Sequence, residues 1–110
     1  MNNAVATKDE LFTAINQLNT PAEAIVFTEK VALVVFRYTE GLWVELNYCY
    51  KAAEILDRLQ NVLQNMADEA SHWKTCEKLA ELVTKVRIMA DRYRKLQSDR
   101  FRASSLELAS

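Results

Sequence analysis

Ala24-Ile25-Val26-Phe27-Thr28-Glu29-Lys30-Val31-Ala32-Leu33-Val34-Val35-Phe36 is the stretch that decides the fold. Only Thr28, Glu29 and Lys30 interrupt its apolar run. It follows Thr20-Pro21-Ala22-Glu23, a capping box with proline at the first helical position, where a missing N–H costs nothing. The β-branched run Val31–Phe36 also suits a strand, but the capped start and the absence of Gly or Pro until Gly41 predict one helix over 21–40. A helix apolar nearly all round belongs in a core or an interface. This one is too short for a bilayer, which takes roughly 20 apolar residues.

Upstream, Thr7-Lys8-Asp9-Glu10 is another capping box, and Leu11, Ile15 and Leu18 share a face, predicting a helix over 8–18. Downstream, Gly41 is the expected stop, in the left-handed conformation, the competing view being a helix that runs straight through it at a cost of about 1 kcal/mol relative to Ala. Cys49, Ala52, Leu56, Leu59, Leu63 and Met66 then alternate by three and four, a heptad seam within a helix over 44–67. A second seam, Cys76, Leu79, Val83, Val86, Ala90 and Tyr93, predicts a helix over 70–98. Asp68-Glu69-Ala70-Ser71 is the expected turn, with Asp68 or Ser71 as the cap. The fold class is therefore all-α, a small bundle of four helices whose last two form a long antiparallel hairpin. Residues 1–110 read as one domain with frayed ends at 1–6 and 103–110.

Composition agrees. Half of the 110 residues are hydrophobic, with one Gly and one Pro, which fits long helices rather than the many turns of an all-β chain. A lone glycine also excludes phosphate loops and dinucleotide fingerprints. Two cysteines are too few for a disulfide scaffold, and the N-terminus lacks the build of a signal peptide, so a cytoplasmic location is expected and no membrane anchor. Through Thr84 the chain carries seven basic and twelve acidic residues, a balance of −5. From Lys85 on it carries seven basic and three acidic, a balance of +4. Such asymmetry points to a charged partner or to head-to-tail pairing.

Few residues invite chemistry. His72-x-x-x-Cys76 places imidazole and thiol one helical turn apart, and Cys49 offers a third metal ligand. The layout resembles the ligand spacing of the copper-sensing helical repressors at that point alone, since the arginine-rich opening helix of that family is absent. If the chain turns near Asp68, Cys49 and Cys76 are offset by about 16 Å of helical rise, so the three could meet only between subunits. With one His, no nucleophile beside a base and no glycine-turn oxyanion donors, no enzyme and no cofactor is expected.

Binding is the better reading. Tyr38, Trp43, Tyr48 and Tyr50 form an aromatic cluster of the kind that anchors interfaces. Lys78, Lys85 and Arg92 lie seven apart, with Arg87, Arg94 and Lys95 close by. These cations suit an acidic protein partner, or, in the alternative reading, nucleic-acid phosphates. The 24–36 helix has ten apolar side chains, each worth roughly 1.5–3 kcal/mol when buried, more girth than three neighbours can cover. A homodimer is therefore expected. The function that follows is a small regulator or adaptor of the chaperone, anti-activator or immunity-protein kind. The alternative is a helical nucleic-acid-binding regulator, metal-responsive through Cys49, His72 and Cys76.

Overall fold

The computed structural model describes the backbone of residues 3–109 and the side chains of residues 8–103; the expected fraying at residues 1, 2 and 110 lies outside it. Every regular element within it is helical: α1 Asn3–Asn16, α2 Pro21–Phe27, a π turn Thr28–Ala32, α3 Leu33–Tyr38, α4 Glu40–Glu45, α5 Cys49–Glu69 and α6 Trp73–Ala109. The molecule is elongated, 58 × 28 × 18 Å, because α6 alone runs for 37 residues.

The long antiparallel pair α5/α6 is the platform. The expected seams meet along it: Cys49, Ala52, Leu56, Leu59 and Leu63 are buried on α5, and Leu79, Val83, Val86, Ala90 and Tyr93 on α6. Ion pairs on the outside fix the alignment, with Arg94 of α6 bound to Asp57 of α5 and, at 2.9 Å, to Asp91 one turn back. At the open end the Tyr50 amide donates to Gln97 Oε1 at 2.9 Å. At the turn, His72 and neither Asp68 nor Ser71 caps α6: its Nδ1 accepts from the Lys74 amide at 3.2 Å. α6 therefore starts at Trp73 rather than 70.

α1 lies on α5 through Leu11 and Ile15, and Arg58 donates to Asn16 Oδ1 at 3.0 Å at its end. Its start differs from the expectation. The backbone is already helical at Asn3, so Thr7 sits inside the helix instead of capping it, and the helix stops at Asn16. Residues 103–109, expected as loose tail, likewise continue α6, since no Gly or Pro interrupts it there.

The second capping box behaves as expected: Thr20 Oγ1 accepts from the Glu23 amide at 3.2 Å and donates to Glu23 Oε1 at 3.1 Å. The helix it starts runs unbroken through α2, the π turn and α3, but it is not shielded on nearly all sides. Ala24, Thr28, Ala32 and Phe36 are buried, whereas Val26, Val31 and Val34 face outward. In a regular helix, positions four apart precess by about 40° each, which would carry Phe36 about 120° away from Ala24. The wider π turn reverses that drift and keeps all four on one face. Thr28 meets its polar obligation inside the helix, with Oγ1 donating to the Ala24 carbonyl at 2.7 Å. Small side chains at three of the four contacts let the rod lie close to α5 and α6, so the buried stripe is narrow and the back stays wet.

Gly41 does not end this rod. It lies inside α4 with open space around it, and the break falls at Thr39, at φ −103° and ψ 8°. The left-handed residue is Asn47, at φ 62°, a role asparagine tolerates. α5 consequently begins at Cys49 rather than 44.

Candidate functional site

The aromatic cluster read from the sequence divides in the structure. Trp43 is fully buried, at 0% exposure, and is a core residue rather than a partner contact. Its ring stacks on Phe36 at 5.7 Å between centroids, and Tyr93 meets Phe36 edge-on at 5.8 Å. Trp43 Nε1 donates to Thr39 Oγ1 at 2.7 Å, and Thr39 Oγ1 donates to the Val35 carbonyl, also at 2.7 Å. The Tyr93 hydroxyl donates to the Phe36 carbonyl at 2.5 Å, in a last turn where carbonyls run out of helical donors. Burial, and then the nearby Glu40 carboxylate, push the Tyr93 hydroxyl well above the usual tyrosine range. Tyr48 is half-buried beneath the Lys8 ammonium, and Tyr50 is exposed with Lys51 over its ring. Tyr38, at 81% exposure, is the member that faces solvent most fully.

Tyr38 stands on the rim of a groove of about 500 Å³ between the α2–α3 rod and α6. Leu33 and Met89 form its floor, and Val34 (43% exposed), Tyr38 and Ile88 (63% exposed) its edges. Lys85 and Arg92 of the basic stripe seen in the sequence line one wall. Lys78 reaches across to Glu29 at 3.4 Å, and Arg92 grips both carboxylate oxygens of Glu40, with Nη2–Oε2 at 3.0 Å. The first pair ties the rod to α6, and the second ties the start of α4 to it. Between them lie Lys85 on α6 and Arg37 on α3. Lys85 pairs with Glu81 at 3.1 Å, and its ammonium, then that of Lys78, hold the Glu81 carboxyl below the usual carboxylate range. Arg37 makes no ion pair among the described residues. Arg87 and Lys95 are exposed but do not line the groove.

Sequence patterning could not show this site, because it lies across two helices 50 residues apart. Ile88, Val34 and Arg37 each look unremarkable in the chain. One clue was present: Val34 and Ile88 are apolar positions off the seams.

The metal alternative gains no geometry within one chain. Cys49 is buried at the open end of the hairpin, where the Arg100 charge acts on it, whereas His72 and Cys76 sit at the turn end, and His72 spends Nδ1 on its cap. Among the described residues no three His, Cys, Asp or Glu side chains are grouped to hold a metal. Burial pushes the Cys49 thiol up, Arg100 opposing and Glu40 reinforcing. In the native protein, iodoacetamide is therefore expected to label Cys76 more than about tenfold faster than Cys49, read by peptide mass spectrometry. Equal rates would contradict the burial. The raised pKa means the folded state keeps a proton that the unfolded chain loses, so stability is full below the ordinary value of 9.0 and declines as pH rises past it.

Among the described residues no helix is long and apolar enough to cross a membrane. Compared with known proteins, the chain matches no family model, no curated protein and no solved structure.

Proposed function

We propose that this chain is a non-enzymatic adaptor or regulator that takes up another protein on the groove between α3 and α6. The observation that carries this reading is the clustering of Val34, Tyr38 and Ile88 in solvent over an apolar floor of Leu33 and Met89. Contiguous exposed apolar surface rimmed by charge is the usual mark of a protein contact. The ion pairs at Glu29 and Glu40 add rigidity, which lowers the ordering cost of binding. Nothing comparable favours catalysis or a cofactor: the single imidazole serves as a helix cap.

Nucleic-acid binding is the weaker alternative, because Arg92 and Arg94 already hold intramolecular carboxylates. Pairing with a second copy is favoured by Val26 and Val31, exposed on the rod outside the groove.

Tagged protein, wild type beside Ile88→Asp, tests the reading in the native cell extract at about 0.15 M and about 0.5 M salt. Ile88 is a surface residue, so circular dichroism of the variant should match wild type. A partner protein should be recovered at both salts by wild type and reduced at least about tenfold by the substitution, as for an interface hot spot. Equal recovery by both proteins would refute the groove. Recovery of nucleic acid instead, lost at the higher salt and with Arg92→Ala, would favour the alternative.

A further inference from the structure

We infer that the occupant of the groove is an amphipathic helix whose apolar stripe is flanked on both sides by acidic residues. This rests on the binding role just proposed and names its partner class.

The walls dictate the form of the guest. Both are helices, whose backbone N–H and C=O groups are engaged within the helix, so an extended peptide would find no ladder to join. A helix satisfies its own backbone and offers side chains at i, i+3, i+4 and i+7. On α6 the opening displays anchors in the same rhythm, Lys85, Ile88, Met89 and Arg92, while on α3 Leu33 with Val34 and Arg37 with Tyr38 follow one turn apart. On α6 the opening runs from Lys85 to Arg92, about 10 Å of helical rise, room for roughly two turns of a guest.

Charge then selects among amphipathic helices. Of the neighbouring α6 cations, Lys78 is committed to Glu29 on the rod and Arg92 to Glu40 at the start of α4. Between them each wall carries one cation on its lip. Arg37 is exposed without an ion pair among the described residues, and Lys85 pairs only with Glu81 one turn back on its own helix. A guest seated on Leu33 and Met89 therefore passes a positive charge on its left and on its right. Carboxylates on both flanks of the apolar stripe complement that pair, while flanking lysines would face like charge.

The test uses the full chain and two fluorescent 16-residue helical peptides with one apolar stripe, flanked by glutamates in the first and by lysines in the second. The Glu-flanked peptide should bind at least about tenfold more tightly by polarisation. Ile88→Asp should abolish its binding. The double variant Arg37→Glu, Lys85→Glu should invert the preference, so that the Lys-flanked peptide now binds better. Inversion is a readout that damage to the fold cannot produce. Equal binding of the two peptides, absence of binding by both, or a preference untouched by the double variant would overturn the inference. So would light scattering that shows a dimer dissociated by Ile88→Asp and unaffected by either peptide, since the groove would then belong to a second copy. A partner recovered from cells and lost with Ile88→Asp, alongside failed peptides, would leave the binding role standing and remove only the acidic-helix guest.

Discussion

Replacement of Trp43 by alanine should remove about 3–5 kcal/mol of stability, the range for truncating a fully buried large aromatic. For a domain of this size that is a large share of the roughly 5–15 kcal/mol that holds a native state together. Three losses coincide. The cavity lies between Phe36 and the hairpin, the stacked ring pair disappears, and Thr39 Oγ1 loses the indole donor that steadies it at the break between α3 and α4. Trp43→Phe should retain the stacking and cost less, leaving mainly the hydrogen-bond contribution of about 0.5–1.5 kcal/mol. Urea denaturation followed by circular dichroism measures both. A loss under about 1 kcal/mol for Trp43→Ala would return this side chain to the surface role that sequence alone suggested for it.

Ala32→Leu should destabilise the fold by about 1–3 kcal/mol through overpacking. Ala32 is fully buried at the end of the π turn, in the stripe where Ala24, Thr28 and Ala32 let the rod approach the hairpin. An isobutyl group there has to push the rod outward. Val34→Leu, two residues on but on the exposed face, is the matched control and should stay within about 0.5 kcal/mol of wild type. Equal effects of the two substitutions, again by denaturation, would mean that the rod does not lie on the hairpin by this face.

How much of this was legible follows from the kind of signal each feature leaves. The α5/α6 pair leaves a repeating one, and its seams could be read residue by residue from Cys49 to Tyr93. The start of α2 leaves a local one, the Thr20–Glu23 box. Thr7–Glu10 carries the same pattern yet falls inside α1, so a capping box locates a helix start only where the preceding residues cannot themselves be helical; Pro21 supplies that condition for the second box and nothing supplies it for the first. Gly41 was misleading because glycine permits a left-handed turn without requiring one, and the turn fell to Asn47. The π turn was invisible, since its cause is the alignment of Ala24 with Phe36 against partners far along the chain. Trp43 misled for a related reason. Aromatic residues anchor interfaces and cores alike, and only tertiary packing separates the two. The groove is legible only after Lys85–Arg92 and Glu29–Tyr38 have been brought side by side.

The brevity of the Ala70–His72 connection has a kinetic consequence. Joining α5 to α6 closes a very short loop, so little chain entropy opposes the zipping of the hairpin, whereas the rod must arrive across a longer separation. The hairpin can then be complete at the folding barrier with the rod still undocked. On that order of events, Ala32→Leu registers as faster unfolding at a nearly constant folding rate, while a truncation at Leu59 slows folding itself.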